Sequence, residues 1–272
     1  MHLWQSVLLG VVEGLTEFLP VSSTAHLLLT QRILGMRGEA ANAYAISIQG
    51  GAIVAVLALY RARIASMAAG ALGRDPIGRR TAINVIAAFI PAAVLGKLFD
   101  KAIEQHLLGL WPVVVAWLVG GVAILWIDRH AHRRARGGVS LDALDLRSAV
   151  LIGLAQCLAM WPGTSRSLAT IVAGLLLGLE MAAAVEFSFL LGVVTLTAAA
   201  GYKLVKGGVA MLHDYGALNI AVGFAVATLS AAASVKWMVA WLHKHGLGVF
   251  GWYRVALALA VAAALLSGAL SP

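Results

Sequence analysis

The sequence predicts an all-α polytopic membrane protein with inverted-topology repeats, each carrying a Pro-broken re-entrant helical hairpin. Three observations predict it. The 272 residues are 61% hydrophobic and 12% charged, with a mean hydropathy of +0.90, whereas a soluble domain is about half apolar and about a quarter charged. The apolar residues fall in runs of about 17–25, the length of a helical span, and not in the short alternating segments of an outer-membrane barrel. Two of these runs break at a proline, Pro20 and Pro162, and hydroxyl side chains follow each break.

Composition narrows the function classes. The one cysteine, Cys157, allows no internal disulfide. The start, Met1-His2-Leu3-Trp4-Gln5, lacks a basic leader and Glu13 interrupts the apolar run, so no cleaved signal peptide is expected. A net charge of +8 could suggest nucleic acid. The basic side chains, however, sit in short loops between apolar runs, which is the positive-inside pattern of membrane topology. No nucleic-acid partner is expected.

Residues 3–34 are too short for two crossings and a turn, and Pro20 cannot continue a helix. A re-entrant hairpin is expected there, its non-helical tip buried in protein or lining a cavity. Residues 43–60 form a span. The loop 61–80 carries Arg61, Arg63, Arg74, Arg79 and Arg80 against Asp75 and is placed in the cytoplasm. Spans at 81–98 and 111–127 follow. The loop 128–147, with Arg129, Arg133, Arg134, Arg136 and Arg147, is the second basic loop. Residues 148–179, broken at Pro162, read as a second re-entrant hairpin. Spans at 185–202, 217–242 and 249–270 complete the chain, with Trp111, Trp126, Trp241, Trp252 and Tyr253 as interfacial anchors.

One transmembrane domain is expected, with repeat one at 1–127, the basic loop 128–147 and repeat two at 148–272. Pro20-Val-Ser-Ser matches Pro162-Gly-Thr-Ser, and residues 44–60 lie opposite 186–202 at the same offset. Those two spans run in opposite directions on this topology. Paired broken segments in inverted halves point to a site at their interface.

Ionisable groups in a membrane segment are expensive and mark functional sites. Glu13 and Glu17 are four residues apart and share one helix face. Such a pair repels unless a proton or a cation sits between them. A divalent cation, Mg²⁺ or Ca²⁺, suits it, since Mg²⁺ takes one or two carboxylates plus phosphate oxygens. A proton-sharing pair in a coupled carrier is the alternative. Ser22, Ser23 and Thr24 precede an apolar helix. One hydroxyl can cap it, the helix start can bind an anion, and another hydroxyl can be a nucleophile. His26, about one turn after Ser23, suits a general base or acid. In the second island Gly163 allows close backbone approach, and Ser165, Arg166 and Ser167 repeat the device with a guanidinium added. Arg grips phosphate bidentately. Arg166 could instead simply neutralise Glu13 or Glu17. Together the islands describe a site for a diphosphate–metal complex.

At these residues the chain resembles the undecaprenyl-diphosphate phosphatase family, the bacitracin-resistance type. Glu13-Gly-Leu-Thr-Glu17-Phe-Leu-Pro-Val-Ser-Ser-Thr-Ala-His26 is similar to its first motif. Pro162-Gly-Thr-Ser165-Arg166-Ser-Leu-Ala-Thr170 is similar to its second, and Glu186-Phe-Ser-Phe-Leu-Leu matches a further segment. The resemblance implies a multi-pass enzyme of the bacterial inner membrane, its active site facing the periplasm. It implies removal of the terminal phosphate of a C55 polyprenyl diphosphate, which recycles the lipid carrier for cell-wall synthesis and confers bacitracin resistance. Catalytic roles are expected for Glu17, Ser23, His26 and Arg166. Substrate binding is expected from Ser22, Thr24, Gly163, Ser165, Ser167 and Thr170, and metal binding from Glu13 and Glu17. A homodimer is compatible with this reading. Ala25, Gly50, Leu168 and Val194 depart from the family pattern; Leu168 bears on packing around the second motif. The rival expectation is a polyprenyl-phosphate transporter or flippase that couples to protons through the Glu pair.

Overall fold

A computed structural model describes the backbone of residues 1–131 and 138–270. Residues 132–137, the middle of the second basic loop with Arg133, Arg134 and Arg136, lie outside the described residues. The chain runs α1 (Leu3–Thr16), α2 (Ser23–Ile33), α3 (Glu39–Leu59), α4 (Arg61–Ala71), α5 (Pro76–His106) and α6 (Leu110–Ala131). It continues through α7 (Leu146–Gln156), a 3-10 turn at Cys157–Met160, α8 (Arg166–Leu176), α9 (Met181–His245) and α10 (Gly248–Leu266). Among the described residues there is no strand.

Six helices are long and apolar enough to cross a membrane: Glu39–Leu59, Pro76–Phe99, Leu110–Arg129, Met181–Tyr202, Val209–Leu242 and Gly248–Leu266. These correspond to the six expected spans. Both expected hairpins are present as pairs of short apolar helices, α1 with α2 and α7 with α8. Each break falls at its proline, because the ring removes a backbone donor and clashes with the preceding turn.

Two expectations are corrected. Residues 61–80 are not simply a loop: α4 occupies the first half, and α5 starts at Pro76. Asp75 caps α5, its carboxylate accepting from the amides of Ile77 and Gly78 at 3.0 Å each and from the Ser66 hydroxyl at 2.6 Å. These bonds hold the Asp75 carboxyl below the usual aspartate range, the Gly78 amide contributing most. The expected spans at 185–202 and 217–242 are two arms of α9, separated only where Gly216 takes φ 74° and ψ 151°, a conformation glycine adopts without a Cβ clash. Met181 and Glu186 near the start of α9 and Val239 and Leu242 near its end line one small cavity beside Tyr60. The chain therefore reverses at the break.

The two basic loops meet at one end of the molecule. Arg63 pairs with Asp142 at 2.7 Å and with Glu186 at 2.8 Å, and Arg80 donates to the Ala143 and Leu144 carbonyls. Glu186 thus belongs to this end and not to the polar islands.

The hairpins are held by close backbone contact. A Cβ at Gly14 would lie 2.5 Å from the Ala227 carbonyl oxygen, so α1 nests against the second arm of α9 as small residues allow in membranes. Ser230 and Ser234 of that arm donate to the Gly10 and Leu15 carbonyls at 3.1 and 3.0 Å. The main core, with Phe18, Ile152, Ile171, Phe189 and Leu191, lies between the two hairpins. Leu168 joins it as a buried side chain. Gly50 leaves room for the Phe224 ring, which a Cβ there would meet at 3.0 Å.

Candidate active site

Each hairpin turns over a tip of five or so residues. Entering α2, Ser22 has φ 73°; entering α8, Ser165 has φ 76°. These are the two non-glycine residues with positive φ among the described residues. Such a conformation costs about 1–3 kcal/mol and persists where surrounding contacts enforce it. Gly163 also has positive φ, and a Cβ there would lie 3.0 Å from the Val113 carbonyl oxygen.

The tips converge on a cavity of about 220 Å³. The first half lines it with Glu17, Ser22, Ser23, Thr24 and Gln49, the second with Gln156, Gly163, Ser165, Arg166 and Thr195. Glu17 is the hub. One carboxylate oxygen accepts from Arg166 Nη2 at 2.9 Å. The other accepts from the Ser23 hydroxyl in a short hydrogen bond and from Gln49 Nε2 at 3.3 Å. The pair is buried on both sides, where water screens it little. Arg166 is fixed by three further contacts. Nη1 donates to the Ser188 carbonyl at 2.9 Å, and the guanidinium lies 5.5 Å from the Phe18 ring centre. The group also crosses the bare backbone of Gly192, where a Cβ would meet Nη1 at 2.3 Å. Arg166 Nε and Gln156 Nε2 are buried donors without a partner among the described residues, available to an anion in the cavity.

Glu13, one turn back, is fully buried; among the described residues no donor group reaches its carboxylate oxygens, and the Glu17 carboxyl lies beside it. A bare carboxylate cannot stay there; it takes a proton or a cation. Among the described residues no group of three or more His, Cys, Asp or Glu side chains forms a metal cluster. Glu13 and Glu17 are the two carboxylates on offer here, and a hard cation held by them would need its remaining oxygens from outside the chain.

Three other expected site residues, His26, Ser167 and Thr170, stand behind the cavity. His26 is not among its lining residues. Its Nδ1 donates to the Ser22 carbonyl at 2.7 Å and its Nε2 accepts from the Tyr253 hydroxyl at 2.8 Å, a tautomer assigned from those partners. The ring stacks on Tyr253 and meets Trp117 edge-on. With both nitrogens engaged, it braces the strained Ser22. Ser167 is fully buried and donates to the Leu19 carbonyl at 3.0 Å, tying tip to tip. Thr170 bonds Ser188 Oγ at 2.7 Å and the Arg166 carbonyl at 2.9 Å. Ser165 lines the cavity and caps α8, accepting from the Leu168 amide at 3.3 Å. Ser22, though first in line to cap α2, makes no side-chain cap bond.

Sequence reasoning underrated Gln49 and missed Gln156, Thr195, Tyr253 and Arg254. For Gln49 and Gln156 the signal was available, since a lone amide in an apolar helix is costly without partners. Arg254 was a charge inside an expected span, the very signal used for Arg166.

The chain is similar to known proteins over nearly its whole length. Residues 6–260 match the family model described as bacitracin resistance protein BacA. Over 263 residues the chain is 46% identical to an undecaprenyl-diphosphatase of Sorangium cellulosum, covering 94% of this chain and 84% of that one. It is 45% identical over 269 residues to undecaprenyl-diphosphatase 2 of Rhodospirillum rubrum, covering 98% and 96%. It is 44% identical over 268 residues to undecaprenyl-diphosphatase 1 of Chromobacterium violaceum, covering 98% and 97%. With the match running through both tips and into the sixth apolar span, this chain belongs to the BacA bacitracin resistance family.

Proposed function

We propose that this multi-pass membrane protein is a phosphatase that converts undecaprenyl diphosphate to undecaprenyl phosphate and inorganic phosphate. One observation carries the reading: a serine hydroxyl, a carboxylate and a guanidinium from two halves of the chain are hydrogen-bonded in series within one cavity. Base-activated nucleophile plus phosphate-binding cation is what phosphoryl transfer needs.

The diphosphate docks with its terminal phosphate on Ser23. Arg166, the Gln156 amide and the amides at the start of α8 take its oxygens. Ser23 Oγ, or a water held in its place, attacks the terminal phosphorus as Glu17 accepts the proton. The P–O bond to the bridging oxygen breaks, the lipid monophosphate leaves with that oxygen, and Glu17 releases its proton to solvent. On the serine route a water then attacks the phosphoserine, one of its protons passing by way of Glu17 to Ser23 Oγ as the Oγ–P bond breaks and inorganic phosphate leaves; on the water route inorganic phosphate forms directly. Arg166 turns from Glu17 toward the phosphate as Glu17 becomes neutral, so the ion pair stores the guanidinium between turnovers. A divalent cation on Glu13 and Glu17 would offset the charge building on the phosphate oxygens. His26 holds the Ser22 carbonyl and keeps the tip in shape.

The site is proposed to face the periplasm, opposite the end where the basic loops meet. The inverted relation of residues 1–127 and 148–272 is likewise part of the proposal; the matching φ of Ser22 and Ser165 supports it. The lipid is the partner this reading requires, and a homodimer stays compatible with it. A carrier without hydrolysis is not favoured, because the relatives are named as diphosphatases. The test is phosphate release by purified protein from C55 diphosphate, with and without chelator. Chelator-sensitive release is expected; lipid uptake with no release would refute the phosphatase. Ser23→Ala keeping most of its activity would assign the attack to water.

A further inference from the structure

Arg254 lies in the last span, fully buried. Among the described residues no carboxylate pairs with it. A charge so placed is costly unless its donors are satisfied. Carbonyls satisfy the Nη1 and Nη2 donors, while the buried Nε has no partner among the described residues. Nη1 donates to Pro20 and Thr164, each at 3.2 Å. Nη2 donates to Ala116 and Gly163, each at 2.8 Å. Pro20 is the break of the first tip; Gly163 and Thr164 are the turn of the second; Ala116 is on α6. One guanidinium thus spans both tips and the helix beneath them.

The surrounding backbone is shaped for this reach. α6 and α10 approach closely, a Cβ on Gly121 or Gly251 lying 3.0 Å from the other's carbonyl oxygen. One turn along α10, the Arg254 side chain crosses Gly120, where a Cβ would sit 2.3 Å from Nη2. The neighbouring carbonyls of the first tip are taken as well. Leu19 accepts from Ser167 at 3.0 Å, and Val21 accepts from Trp117 Nε1 at 2.9 Å. Three successive carbonyls of the first tip are therefore held from α8, α10 and α6, and the middle one shares its donor with the second tip.

We propose that Arg254 is a positioning residue that sets the register of the two tips, so that Arg166 and Glu17 converge on one diphosphate. It touches backbone rather than substrate and acts through Pro20 and Gly163. The planar fork matters: guanidinium N–H groups point in several directions from a rigid plane, whereas a lysine ammonium donates from one point. The inference rests on the diphosphatase reading for its ligand alone.

The experiment compares the wild type with Arg254→Lys and Gly120→Ala, each purified in detergent. Gly120→Ala keeps the guanidinium and displaces it. Inorganic pyrophosphate with Mg²⁺ is the binding probe, measured by calorimetry per folded molecule, alongside Tm, kcat and KM for C55 diphosphate. Misplacing catalytic groups by about 1 Å costs about 100-fold in rate. Both variants are expected to lose about that factor in kcat per folded molecule and to bind pyrophosphate about tenfold more weakly, whatever the fall in Tm. A purely structural role would lower Tm and the folded yield but leave affinity and kcat per folded molecule unchanged. If Arg254→Lys does not fold, Gly120→Ala decides. A folded variant that binds pyrophosphate and turns over within about twofold of the wild type overturns the proposal. A wild type that binds pyrophosphate but releases no phosphate counts against the diphosphatase and leaves the binding comparison to stand; one that binds none overturns both.

Discussion

Ser22 and Ser165 occupy equivalent places, with φ of 73° and 76° and a helix starting just after each. Both line the cavity, and their hydroxyls differ: Ser165 caps its helix and bonds Ser167, whereas Ser22 makes no cap bond. The first tip carries the acids and the hydroxyl joined to Glu17. It relies on donors from other helices for Leu19, Pro20 and Val21. The second tip carries the guanidinium and adds a serine cap of its own to the carbonyl contacts it receives from Arg254. One turn geometry thus serves two ends, a reactive tip without a cap bond and a binding tip with one. The two acids of the first tip diverge in the same way. Among the described residues Glu17 accepts from three side chains, whereas no donor reaches Glu13, whose neighbour is the Glu17 carboxyl.

Crowding the second tip's guanidinium should have the largest effect. Gly192→Ala puts a Cβ where Arg166 Nη1 now lies, 2.3 Å away, and should lower kcat by about 100-fold in a phosphate-release assay. Activity near the wild type would show that the guanidinium has another productive seat.

The charge signal that revealed Arg166 explains how much was legible in the sequence. Hydropathy located six spans because lipid demands long apolar helices, and proline located the tips because it cannot sit in a continuous helix. Glu17 and Arg166 stood out because each is costly alone in the membrane, so their meeting was inferable. α4 was hidden by its arginines, though Asp75-Pro76 was a legible start for α5. The position of His26 was not legible, since its partner Tyr253 is 227 residues away and read as an interfacial anchor. Neither serine's positive φ was legible, because no propensity favours it; packing around the tips imposes it.

Contrasting the two acids gives a smaller effect. If Glu13 and Glu17 hold a cation, Glu13→Gln should raise the Mg²⁺ or Ca²⁺ concentration for half-maximal activity by about tenfold, roughly one charge-assisted ligand. An unchanged requirement would leave Glu13 as one half of a proton-sharing pair.

The hydroxyls give the smallest effect. Removing a helix cap costs about 1 kcal/mol, so Ser165→Ala should lower thermal stability measurably. Ser22→Ala, which breaks no cap bond, should leave stability nearly unchanged. Equal losses would mean that the tips do not differ as described.

The most direct test of the central claim is a double-mutant cycle across the two halves, read as phosphate release from C55 diphosphate by Glu17→Gln, Arg166→Lys and the double variant. Groups that act as one unit are strongly non-additive. The account predicts that each single variant loses about 100-fold or more, and that the double variant is no slower than the slower single one. Losses that multiply would show that Glu17 and Arg166 work independently, and would contradict a single site assembled between the tips.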